Sequence, residues 1–180
     1  MQLRSTVARQ LSVSEEEAGR RLHQLAALLP DLGSHVDRMD PAVVARLAAD
    51  VGSVTRRLLQ LRVIFPEADA FKLALRAPVL VLGASRPRLE RAAKQLRRLL
   101  PGLNVDRLVE DEPELLDVKA LRGALKDFRR AEPELDVAQA LQLDPSMVFR
   151  FSLRHGKPNL DAALSRRTAA MLAAAPVESG

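Results

Sequence analysis

Residues 65–100, FPEADAFKLALRAPVLVLGASRPRLERAAKQLRRLL, contain the unit from which the fold is read. The stretch opens on a hydrophobe and a proline, Phe65–Pro66, and meets a second proline at Pro78. It closes on an amphipathic segment ending at Leu99–Leu100, after which Pro101 restarts the pattern. First-position prolines recur at Pro30, Pro66, Pro101 and Pro133, in steps of 36, 35 and 32. Second-position prolines recur at Pro41, Pro78, Pro113 and Pro145, in steps of 37, 35 and 32. Eight of the eleven prolines fall into these two series, which scattered turn residues would not do. A period of this length marks stacked supersecondary units, each unable to bury its apolar face alone. The spacing predicts an all-α chain, a helical-repeat solenoid of about four three-helix units of 32–37 residues with capping helices at both ends.

The elements around that stretch read the same way. Leu89, Ala92, Ala93, Leu96, Leu99 and Leu100 form one helical stripe, with Arg91, Lys94 and Arg98 on the opposite face. Phe71 and Leu75 share a face of the preceding helix, and Gly83 supplies a break between them and the long helix. Upstream, Ser14 before Glu15, Glu16 and Glu17 is a capped helix start, followed by a stripe of Leu22, Leu25, Ala26 and Leu29. Asp40–Pro41 and Asp144–Pro145 are helix starts of the cap-then-proline kind. A last helix over about 160–175, with Leu160, Ala163, Leu164, Met171 and Leu172 on one side, is expected to close the C-terminal end. The domain plan is an N-terminal arm or transit-peptide remnant over 1–14, a repeat domain over 15–175 and a flexible tail over 176–180. The first segment is basic and hydroxyl-rich without acids, as transit peptides are, and equally suits an ordinary capping helix.

Composition narrows the chemistry. Apolar residues make up 47%, mostly Leu, Ala and Val, with five Phe and neither Trp nor Tyr, a profile of helix rather than sheet. The chain has no Cys, so disulfides, thiolate metal sites and cysteine nucleophiles are excluded. No run of about 18 apolar residues occurs, so no membrane insertion is expected. His23, His35 and His155 are far apart and stand in no metal-ligand spacing. Gly83–Ala84–Ser85 fits neither a nucleophile elbow nor a phosphate loop. The reading is therefore a protein that is not an enzyme, with no catalytic residue, metal or cofactor.

The net charge of +5 permits a nucleic-acid partner without requiring one. Counted from each second proline, Arg57, Lys94 and Arg129 lie sixteen residues on, and Arg91 and Lys126 thirteen on. Arg62, Arg98 and Arg166 lie twenty or twenty-one on. If equivalent positions align in a stacked array, these columns make a basic stripe able to follow a phosphate backbone. With Arg130, and with Arg150 and Arg154 of the segment FRFSLRH, they are the candidate nucleic-acid-binding residues. Phe149 and Phe151 in that segment either stack a base or pack inward. The acidic residues between 106 and 117 (Asp106, Glu110, Asp111, Glu112, Glu114 and Asp117) suggest a second surface for a protein partner, or a solvated turn.

The paired prolines with a closing leucine helix, in FPEADAFKLALRAPVLVL, LPGLNVDRLVEDEPELLDV and EPELDVAQALQLDPSMVFRF, resemble the mitochondrial transcription termination factor (mTERF) family over about residues 22–155. That resemblance implies three-helix repeats in a curved solenoid, an organellar address, a mitochondrion before a chloroplast, and nucleic-acid binding along a basic path. Two departures stand out: about four units make a short array, and the acidic third unit lies where such a path would run. The function expected is the holding of structured RNA, in preference to DNA, by backbone contacts. An accessory subunit of a ribonucleoprotein such as an organellar ribosome has that character. The alternatives are a protein–protein scaffold of an organellar complex and a DNA-binding transcription termination or regulation factor.

Overall fold

The computed structural model describes residues 2–150 and 158–164, and over these it is all-helical. The first part comprises α1 (Gln2–Leu11), α2 (Glu15–Leu28), α3 (Leu32–His35), a 3-10 turn (Val36–Arg38), α4 (Pro41–Ala49) and α5 (Val51–Ile64). There follow α6 (Ala70–Arg76), α7 (Val79–Leu82), α8 (Arg86–Leu99), α9 (Val105–Asp111), a second 3-10 turn (Pro113–Leu116) and α10 (Val118–Ala131). The chain continues with α11 (Val137–Leu143), α12 (Met147–Arg150) and α13 (Leu160–Leu164). Among the described residues no helix is long and apolar enough to cross a membrane.

The prolines have one mechanical job. Each of the eight follows a residue whose C=O accepts the N–H three positions further on. The first series sits inside Leu29–Leu32, Phe65–Ala68, Leu100–Leu103 and Glu132–Leu135, the second inside Asp40–Val43, Ala77–Leu80, Glu112–Leu115 and Asp144–Met147. Proline is thus the second residue of a tight turn every time, where its fixed φ is already right and its missing N–H is not needed. Gly102, at φ +79, is the third residue of one such turn and the place where glycine's freedom is required. Gly83 is different. It ends α7 at φ −145, a conformation open to other residues, so the expected break exists without depending on glycine.

Polar caps set the starts of the short helices. Three residues after the first-series prolines stand Asp69, Asn104 and Asp136, whose side chains accept from Phe71, Arg107 and Ala138 N–H at the starts of α6, α9 and α11. Asp50 and Asp117 do the same for α5 and α10. Ser14 accepts from Glu17 N–H as expected, but Glu17 turns away to Arg20 and Arg21. Asp40 caps α4 directly. Asp144 holds Ser146 in the turn before α12, so that helix begins after Pro145 rather than at it.

The core is continuous from α1 to α13, with Phe65 and Phe128 fully buried. The long-helix stripe of Leu89, Ala92, Ala93, Leu96 and Leu100 is buried, with Leu99 at its edge. On α2, Ala18 and Leu25 face inward with Leu29 beyond the helix end, while Ala26 is exposed against expectation. Residues 1–14, read as an arm or transit remnant, contain the helix α1, which packs on α2 and α4 through buried Val7 and Ala8. The long helices lie in series, α5 beside α8 and α8 beside α10. The described part of the expected last helix, α13, packs on α7, α8 and the Pro113–Leu116 turn, with Leu164 C=O accepting from Ser85 N–H and Asp117 accepting from Asn159 N–H. The rest of the helix expected over 160–175, and the tail, lie outside the described residues.

Two buried carboxylates tie α9 to the turn that precedes α6. Asp106, 5% exposed, accepts from Glu67 N–H at 3.1 Å and from Arg97 Nη2 at 2.7 Å. The same Arg97 Nη2 donates to Ile64 C=O at 2.7 Å, and its guanidinium lies 5.7 Å from the centre of the Phe65 ring. Glu110, 7% exposed, accepts from Asp69 N–H at 2.7 Å and pairs with Lys72 and Arg107. Removing Asp106 would leave Glu67 N–H without its acceptor and Arg97 without its carboxylate partner, at a cost of about 2–3 kcal/mol. Urea denaturation should show that loss for Asp106→Ala, against less than about 0.5 kcal/mol for exposed Asp111→Ala.

Candidate nucleic-acid interface

The helix bounds reset the register in which the basic residues must be compared. α5, α8 and α10 are each 14 residues long, but their starts fall at different distances from the second proline. Arg57 is consequently the seventh residue of α5, Lys94 the ninth of α8 and Arg129 the twelfth of α10. The column sixteen residues after the proline is therefore not a structural column. Counted from the helix starts, Lys94 matches Lys126 at the ninth position and Arg98 matches Arg130 at the thirteenth. Arg62, Arg97 and Arg129 match at the twelfth. The connections between the second proline and the long helix differ in length, so positions match from the helix starts and not from the prolines.

Position and environment then divide the candidates. Arg57 is half-buried and donates from Nη1 to Ala84 C=O at 2.6 Å, fastening α5 to the segment after α7, so it is a structural residue. Arg150 is exposed but forms a 2.6 Å ion pair with Asp144, whose carboxyl is held below its ordinary range first by the Ser146 hydroxyl and also by Arg150. Arg154 lies outside the described residues, as do Arg166, Phe151 and His155, while Phe149 packs partly buried against the core. Arg62 is exposed, lining a 360 Å³ cleft with Lys72 and Arg107. Arg91, Lys94, Arg98, Lys126, Arg129 and Arg130 are all exposed and make no ion pair among the described residues.

On α8 the buried stripe faces the core, and Arg91, Lys94 and Arg98 stand on the opposite crest. On α10 the corresponding crest carries Lys119, Lys126 and Arg130, with Arg122 and Arg129 on its flank. Between α8, the start of α10 and α13 opens a 590 Å³ cleft lined by Arg88, Arg91, Gln95, Asp117, Lys119 and Leu164 among others. Lys119 and Arg122, the second and fifth residues of α10, match no cation on α5 or α8, so no column reveals them. The crests can attract an anionic backbone. Among the described residues no group of three or more acidic, His or Cys side chains is placed to hold a metal ion.

The acidic stretch is not one solvated surface. Asp106 and Glu110 are buried in the junction with the preceding turn, and Asp117 caps α10 while accepting from Asn159. Asp111 remains exposed, facing Arg76 at 3.8 Å. A protein partner would meet Asp111 and the half-buried Glu112 and Glu114 rather than all six acids.

Compared with known proteins, the chain matches no family model, no curated protein and no solved structure.

Glu112 is pushed up to about 7, first by burial and then by its hydrogen bond and charge repulsion with Glu114, with Asp144 adding to them and Arg76 opposing. In the unfolded chain it ionises near 4.5, so the fold loses stability as pH rises from about 4.5 to about 7 and levels off above that. Glu112→Gln should therefore match the wild type near pH 4 and exceed it at pH 8. The gain should be about 1 kcal/mol once solvent screening of a half-exposed group is allowed for, read from urea midpoints across that range.

Proposed function

We propose that this chain is a non-catalytic nucleic-acid-binding protein that holds structured RNA by its backbone along the crests of α8 and α10. The observation that carries the reading is the matched set Lys94, Arg98, Lys126 and Arg130. These are four exposed cations at the same two positions of two neighbouring helices, none of them ion-paired among the described residues. Neighbouring helices pack about 8–10 Å apart and four residues span about 6 Å of helix axis, so the cations form a small grid rather than a point. With no Trp or Tyr in the chain, stacking on bases is a minor contribution, and recognition runs through charge and shape.

The architecture we infer with it is a short solenoid of three-helix repeats. Eight equivalent proline turns, the recurring seven-residue helices α6, α9 and α11, and the 14-residue helices α5, α8 and α10 support that reading. So does the resemblance of the paired prolines to the mTERF family. On that resemblance the protein belongs in an organelle, a mitochondrion before a chloroplast, as an accessory subunit of a ribonucleoprotein such as an organellar ribosome. A second reading, a protein-docking scaffold, is favoured by one observation: α5 exposes Leu59 and Val63 where α8 and α10 expose cations.

The combined variant Lys94→Glu, Arg98→Glu, Lys126→Glu, Arg130→Glu tests the RNA reading. Fluorescence anisotropy with an RNA hairpin should show at least about a 100-fold loss of affinity at low salt, with the urea midpoint little changed. The wild type should lose affinity with salt at a log–log slope of about 3 to 4, as four phosphate contacts require, and the variant should show a much smaller slope. A duplex DNA arm separates the transcription-factor alternative. Binding that ignores salt, or no binding to either nucleic acid, would overturn the proposal.

A further inference from the structure

Among the described residues the large exposed hydrophobics are Leu59 at 57%, Val63 at 73%, Leu135 at 45% and Leu143 at 82%. They form two groups, and in three of the four cases the matched position elsewhere in the chain is charged. Leu59 and Val63 are the ninth and thirteenth residues of α5, where α8 has Lys94 and Arg98 and α10 has Lys126 and Arg130. Leu143 is the last residue of seven-residue α11, where α6 ends on Arg76 and α9 on Asp111. Surface positions that hold charge in two units and an aliphatic side chain in the third are not scattered apolar residues, which need no explanation. They mark faces that something covers.

The two groups differ in the charge around them. Leu59 and Val63 are four residues apart on one face of α5, with Arg56 a turn earlier on the same line and Arg62 beside Val63. Both arginines are exposed, neither has an ion pair among the described residues, and α5 contains no acidic residue. Leu135 and Leu143 bracket α11, and the chain around Leu135 supplies exposed Glu132, Glu134 and Asp136. Neither Glu132 nor Glu134 has an ion pair among the described residues. One face therefore offers leucine and valine among arginines, the other Leu135 among acids with Leu143 at the far end of α11.

We propose that these two faces bind each other between copies of the chain, the α5 face of one molecule docking on the Glu132–Leu143 face of the next. The occupant is a second copy because this chain itself carries the complement that α5 lacks, in both charge and apolar contact. Such a contact is heterologous: the two surfaces are different, so each molecule that joins leaves one face of each kind free. Association then proceeds head to tail. Both faces are small, so the contact is weak and shows itself as growth with concentration rather than as a fixed dimer. The proposal does not depend on RNA, since the cations at Lys94, Arg98, Lys126 and Arg130 take no part in it.

The test uses the full chain after nuclease treatment, in sedimentation velocity over roughly 1 to 100 µM. Wild type should show a weight-average sedimentation coefficient that rises with concentration and falls back when salt is added. One variant, Leu59→Glu with Val63→Glu, blocks the α5 face, and another, Leu135→Lys with Leu143→Lys, blocks the acidic face. Each alone should sediment as a monomer throughout. Mixed, they should form a dimer and nothing larger, because each retains the face the other has lost. Wild type that stays monomeric at the highest concentration overturns the proposal. So does a mixture that fails to pair while wild type associates, since the faces then do not meet each other. Circular dichroism of each variant confirms that a monomeric result reflects a lost face and not a lost fold. Should one pair unfold, Leu59→Ser with Val63→Ser or Leu135→Ser with Leu143→Ser repeats that arm without new charge.

Discussion

Helices of four and seven residues are too short to persist by themselves in water, and this chain contains several of them. Their survival is the constraint that organises the structure. It is met from two directions. Each such segment is entered through a tight turn or a polar cap that fixes the backbone in advance. Several are then packed against a 14-residue helix, α6 and α7 on α5, α9 on α8 and α12 on α10. Proline is the economical choice for the turn because its φ is set before folding begins, which reduces the freedom the unfolded chain must give up. The same residue placed inside α8 or α10 would break the helix that supplies the cover.

Much of this was legible in the letters. Two proline series keeping step pointed to an all-helical chain, and the leucine stripe of residues 89–100 to its inward face. Ser14 and Asp40 read correctly as caps, since a side-chain acceptor at a helix start is a local event. What failed were inferences that cross from one piece to another. The columns of cations were counted from prolines, but the connection between proline and long helix shortens from unit to unit, so Arg57 and Arg129 entered a column to which neither belongs. The acidic run around residue 110 looked like surface because nothing local reveals that Asp106 and Glu110 reach main-chain N–H groups about forty residues upstream. The position of Leu160–Leu164 against the middle of the chain had no signal in its own composition, which is that of any small amphipathic helix.

The corrected register separates arginines by use. Arg57 and Arg97 end on carbonyl oxygens of neighbouring segments, where a planar guanidinium with several donors does what a lysine would do poorly. Those left on the crests of α8 and α10 have no such duty among the described residues. The exposed cations are thus what remains once the arginines bound to carbonyls are set aside.

One feature of Arg97 bears on how the molecule deforms. Its guanidinium joins the end of α5, the Phe65 ring and Asp106 of α9, and Asp106 and Glu110 secure the intervening turn. At the matched twelfth positions Arg62 and Arg129 have no such acid, because Phe71 and Ala138 stand where α9 has Asp106. The joint between α5 and α9 thus carries an ion pair that the matched positions on either side lack among the described residues. A bending load would meet its cross-tied resistance there, where one guanidinium spans two helices and a ring.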